Sequence, residues 1–85
     1  MRKPEYIRFM EEDAQHLKTR IVHVVTVRSN VLLGVISWYA PWRQYTFRPE
    51  SGTIFNPDCL AQIQEVTGNM TKVHRETRRA AAREA

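Results

Sequence analysis

The sequence predicts a small α+β domain: an amino-terminal helix or arm, a three-stranded antiparallel β-meander, and a carboxy-terminal helix packed on one sheet face. Three observations carry this. β-branched and aromatic residues crowd residues 21–48 with turn residues between them, a helix start follows at Asn56-Pro57-Asp58, and the 85 residues are enough for one domain and too few for two. A single Cys allows no internal disulfide and no Cys-rich zinc site, so neither covalent nor metal stapling supports the core.

In chain order, residues 4–18 place Ile7, Met10, Ala14 and Leu17 at helical spacing, with Pro4 suited to a first turn and Glu11-Glu12-Asp13 on the outer side. This predicts a short helix. Phe9 falls off that stripe, and a strand at Tyr6-Ile7-Arg8-Phe9-Met10 or a loosely ordered arm is the rival, since an isolated helix of this length is marginal in water. Residues 21–28, IVHVVTVR, are almost wholly β-branched, which penalises a helix through lost rotamer freedom and suits a pleated sheet. Ser29-Asn30 is a turn signal, and residues 32–39, LLGVISWY, resume the strand pattern. After Ala40-Pro41, residues 42–48 alternate large apolar with polar side chains until Pro49 withdraws a ladder donor. Trp42 is out of step with Tyr45 and Phe47, which assigns it to the turn.

Asn56 is a natural N-cap, Pro57 fits the first helical position, and Asp58 favours the positive end of the helix dipole. The stripe Leu60, Ile63, Val66 or Thr67, Met70 and Val73 then marks one helix face to lie across the sheet. Gly68-Asn69 interrupts it. Glycine costs about 1 kcal/mol relative to alanine inside a helix, so the helix either stops near Gly68 or tolerates it and runs on toward Ala85. The end has high helix propensity and almost no apolar stripe, which fits a solvent-facing helix or a disordered tail. The chain thus divides into residues 1–20 (helix or arm), 21–73 (β-β-β-α domain) and 74–85 (basic Ala/Arg-rich extension).

The net charge of +4 is unevenly spread: residues 1–20 carry five basic and four acidic groups, residues 21–70 three of each, and residues 71–85 five and two. A neutral domain with a basic end is weak support for a nucleic-acid-binding face on the folded part. No stretch approaches the roughly 18 unbroken apolar residues of a membrane span, and no apolar run of the secretion-signal kind follows the charged start, which points to a cytoplasmic protein with no membrane partner. So small a core also raises the expectation of a homodimer.

Nothing in the residues forms an active site, and no enzyme, cofactor or metal is expected. Cys59 would need a base within reach to act as a nucleophile, and beside Leu60 in a first helical turn it reads as a packing residue. His16, His23 and His74 are scattered without metal-ligand spacing, and His23 alternates with Ile21, Val25 and Val27 on a sheet. Glu11-Glu12-Asp13 reads as a solvated face, and Gly34 and Gly52 are isolated rather than part of a phosphate loop.

The unusual segment is the hairpin, with Trp38, Tyr39, Trp42, Tyr45 and Phe47 inside ten residues, Arg43 among them and Arg48 directly after. Alternation must send neighbouring rings to opposite faces. A thin core needs most of them, and the excess is available to a partner. Trp, Tyr and Arg are enriched at protein interfaces, so the first expectation is a small binding protein that engages another protein through Trp38, Tyr39, Trp42, Arg43 and Tyr45. The alternative is nucleic-acid binding, with bases stacked on sheet aromatics and phosphates met by Arg75, Arg78, Arg79 and Arg83 of the basic end.

The stretch from Gly34 to Pro49, with its W-Y-x-x-W-R-x-Y-x-F-x-P pattern, followed by Gly52-Thr53-Ile54-Phe55 and Asp58-Cys59-Leu60-Ala61-Gln62-Ile63, resembles small uncharacterised proteins of bacteriophages and bacterial mobile elements. The likeness covers about residues 20–70. It implies a phage or prophage setting, in which the expected protein partner is a host or phage protein, and it brings no catalytic residue with it.

Overall fold

The computed structural model describes residues 6–13 and 18–84. Four strands, β1 (Ile7–Glu11), β2 (Val22–Thr26), β3 (Leu32–Tyr39) and β4 (Gln44–Pro49), form one antiparallel sheet in the order β1-β2-β3-β4, and α1 (Pro57–Glu84) follows. The α+β class and the meander match the sequence; the strand count is four instead of three. No helix among the described residues is long and apolar enough to cross a membrane.

The added strand is the correction. Where a helix was expected, β1 pairs with β2 in the register Ile7↔Thr26, Phe9↔Val24 and Glu11↔Val22. Ile7 and Met10 fit helical spacing, yet Ile7 and Phe9 also alternate, and the sheet uses that alternation. Ile7 is buried and Phe9 packs against the core, while Met10 is turned outward. A short helix with so thin a stripe has little to offer against the hydrogen bonds and buried side chains that β2 supplies. Ala14, His16 and Leu17, the rest of the expected helix and one of the histidines, lie outside the described residues.

Two short segments hold β1 in place. Arg20 reaches both carboxylate oxygens of Glu11, at 2.7 and 2.9 Å, and these hydrogen bonds hold the Glu11 carboxyl below its usual range while raising that of Arg20. At the other end the Val27 N–H donates to the Tyr6 carbonyl. Asn30, with φ of 54°, makes the β2–β3 turn, as its residue type suggests.

Register sorts the side chains. Val22, Val24, Ile36, Trp38, Tyr45 and Phe47 share the face under α1, where Ile7, Val22, Val24, Ile36, Tyr45, Cys59, Ile63 and Met70 form the buried core. Pairing steps from Val24↔Gly34 to Val25↔Leu32, so Leu33 is an extra residue that bends β3. At Gly34 a Cβ would come within 2.5 Å of the Phe47 ring and 2.6 Å of the Arg48 carbonyl oxygen, so the cross-strand ring requires glycine there. The opposite face, with Arg8, Met10, Val35, Tyr39 and Arg48, carries no covering element among the described residues.

α1 begins as its sequence dictates: Asn56 Oδ1 accepts the Cys59 N–H at 2.8 Å, a capping bond to the third residue. Cys59 is buried as a packing residue. The helix does not stop at Gly68. Met70 and Thr71 are buried beyond it, and the Tyr45 N–H on the outer edge of β4 donates to Thr71 Oγ1 at 3.0 Å. Core contacts on both sides of Gly68 offset its local penalty. The helix therefore crosses residue 74 without a break, and the basic end is its last turns.

Candidate functional site

α1 runs antiparallel to β4. Phe55, just before the helix, meets Phe47 at 5.4 Å between ring centroids, Thr71 meets Tyr45, and Arg75 donates to the Arg43 carbonyl at 3.3 Å. At about 1.5 Å per residue its 28 residues span roughly 42 Å, nearly the 46 Å long axis of the molecule. The last turns are thus carried to the tip of the β3–β4 hairpin.

That tip is a 3₁₀ turn at Ala40–Trp42 closed by Arg43, whose φ of 52° and ψ of 47° are left-handed and whose N–H donates to the Ala40 carbonyl. A non-glycine residue in this conformation is uncommon. It turns the chain sharply enough to leave Trp42 65% exposed, leaning edge-on against Tyr39 at 5.0 Å between centroids.

Between the tip and α1 lies an open cleft of about 660 Å³ lined by Trp38, Arg43, His74, Arg75, Arg78 and Arg79. Its floor is aromatic. The His74 ring lies over Trp38 at 4.3 Å with a 37° tilt, and Trp38 meets Tyr45 edge-on at 5.3 Å. Its walls are cationic: among the described residues none of the four guanidiniums is in an ion pair. Arg75 with Arg78 and Arg75 with Arg79 are like charges at three- and four-residue spacing, an arrangement that costs a helix about 0.2–0.5 kcal/mol per pair. Chemically the cleft is suited to bind anions.

The sequence-predicted residues divide. Trp38 is in the cleft floor, half-buried; Arg43 is in its wall; Arg75, Arg78 and Arg79 join them. Tyr45 belongs to the core at 5% exposure, its hydroxyl accepting the Arg20 N–H at 3.0 Å, so it offers no contact surface. Tyr39 lies on the open sheet face with Arg48 6.0 Å above its ring. Arg83 is in the last turn of α1 and its side chain lies outside the described residues. His74, which the sequence suggests only as part of a basic end, proves to be an aromatic partner of Trp38; the signal for it is its place one residue past Val73 on a helix whose continuation was open. His23 is elsewhere, with Nε2 3.3 Å from Glu12 Oε1.

Comparison with known proteins adds a relative. The chain is 32% identical over 63 residues to an uncharacterised 9.3 kDa protein of Acholeplasma phage L2, a match covering 74% of this chain and 81% of that one. The chain belongs to the family of that small phage protein. No family model matches it. No solved structure matches it significantly.

Proposed function

We propose that this chain, as a member of a phage-protein family, is a nucleic-acid-binding protein that takes a single strand at the hairpin tip. The observation that supports it above all is the meeting of Arg43 with Arg75, Arg78 and Arg79 in one cleft, without ion-pair partners among the described residues. Phosphates fit that wall, since guanidinium forks match phosphate oxygens and gain from releasing condensed counterions. Trp42, beside Arg43 and largely exposed, presents a ring on which a base stacks. Such a ring is of use to an unpaired base, whereas duplex bases are already stacked. The proposed activity is binding alone, in the host cytoplasm.

The rival reading, a protein partner held by the hairpin aromatics, draws on Arg43 and on Trp42 with the Tyr39 ring it leans against, but loses Tyr45 to the core. Fluorescence anisotropy with a labelled short single-stranded oligonucleotide separates the two. Binding is expected to weaken steeply with salt, with a log-log slope near −0.7 per phosphate contacted, and Arg78→Ala is expected to reduce that slope by about one contact's worth. No binding at low salt, or binding indifferent to salt and to Arg78→Ala, overturns the proposal. A host protein captured by the full chain that survives nuclease and salt but is lost in Trp42→Ala establishes the rival instead.

A further inference from the structure

Gly68 sits in the middle of α1, where alanine would be the better helix former, and a Cβ built on it meets nothing within 4 Å. Packing does not require the glycine. It lines a second open cleft, about 430 Å³, on the β4 side of the helix, and this cleft shares Arg75 and Arg79 with the arginine cleft. The volume is within the roughly 300–1,000 Å³ of small-molecule sites.

The lining chemistry differs from that of its neighbour. Lys72 and Glu76 border this cleft and not the other and offset each other in charge, so with two arginines against four it is the poorer place for a phosphate. The Thr67 and Thr71 hydroxyls are committed, to the Ile63 and Thr67 carbonyls at 2.9 and 3.0 Å. Besides the Lys72 ammonium, the side-chain amide of Gln64 is the group left over, with no hydrogen-bond partner among the described residues, while Gln44, opposite Tyr39 in the register, has its side chain on the open sheet face. A planar amide presents a donor beside an acceptor, the complement of a nucleobase edge. Glycine beneath lets a flat ligand approach the helix backbone closely.

Resting on the nucleic-acid reading above, we infer that the cleft over Gly68 is a nucleobase subsite, in which the Gln64 amide pairs with a base edge while Arg75 and Arg79 hold the adjoining phosphate. A single strand then passes from the arginine cleft across the Arg75–Arg79 ridge into this one.

The test compares two labelled single strands of equal length on the full chain by anisotropy: one of deoxyadenosine nucleotides and one of abasic deoxyribose phosphate. The natural protein is expected to prefer the base-bearing strand by roughly tenfold. Gly68→Leu, which fills the cleft from a position where its Cβ meets open space, is expected to bring the two strands to about the same affinity while the melting temperature stays level or rises. Gln64→Ala is expected to remove part of the preference, and serves where Gly68→Leu lowers the melting temperature. The Gly68→Leu loss should persist in a Trp42→Ala background, which separates the subsite from stacking on the exposed ring. Equal binding of both strands by the natural protein, or an undiminished preference in Gly68→Leu and Gln64→Ala, overturns the subsite and leaves the arginine cleft standing. Binding of neither strand overturns both.

Discussion

The two halves of α1 share one hydrogen-bond ladder and are held by different forces. From Pro57 to Thr71 the helix buries Cys59, Ile63, Met70 and Thr71 against the sheet and starts on a side-chain cap. Beyond Thr71 no residue whose side chain is described is fully buried, and the contacts with the sheet include the His74 ring on Trp38 and edge-on to Tyr45, and one hydrogen bond from Arg75. The first half is kept in place by the removal of apolar surface from water, and the second by continuity with the first. A segment anchored in this way can hold three like charges in one cleft beside the hairpin's Arg43, because the energy that orders it is gained elsewhere. The anchoring residues and the proposed binding residues are divided along a single element.

Substitutions test that division. The largest effect is expected for Ile63→Ala, which empties a buried position in the first half and should cost about 2–5 kcal/mol, read as a lower midpoint in urea unfolding. An 85-residue domain has little stability to spare, so a midpoint within error of the natural protein would mean that the first half does not anchor the helix. Next comes Thr71→Val, at the joint between the halves. It leaves the buried Tyr45 N–H without an acceptor and should cost about 1–3 kcal/mol. The same variant should loosen the arginine cleft, so a fall in oligonucleotide affinity larger than the unfolded fraction explains would show that the joint transmits order to the second half.

The smallest stability effect, and the one that sharpens the comparison most, is expected at the hairpin tip. Arg43→Gly relieves a left-handed non-glycine residue and should leave stability unchanged or raise it by up to about 1 kcal/mol, while removing one cation from the cleft. Thermal unfolding and anisotropy should therefore move in opposite directions. Parallel losses in both would make Arg43 a structural residue and would break the division between an anchoring region and a binding one.

The same division explains what was legible in the residues. β3 occupies residues 32–39 as its β-branched and aromatic alternation indicates, Trp42 is in the turn that its parity demands, and Asn56 caps α1 as its type and the following Pro57 suggest. Each of these depends on side chains a few positions apart. The candidate site was legible only in pieces. Arg43 stood out for its aromatic company, and Arg75, Arg78 and Arg79 for their charge, but the segment-by-segment charge count kept them apart, with a neutral domain on one side and a basic end on the other. Counting charge along the chain is misleading once a helix folds the end back against the hairpin.

By itself, the sequence determined the α+β class, three of the four strands, the helix start and the place of Trp42 in the turn, because alternation, capping and turn chemistry are short-range and act whatever the rest of the chain does. Only the tertiary structure decided that residues 7–11 become a strand, that α1 passes Gly68, that Tyr45 is core and that four arginines meet over Trp38. Each of those outcomes compares local preference with burial and hydrogen bonds offered by residues distant in the chain. β1 takes its partners from β2, and the second half of α1 takes its position from the sheet that the first half covers.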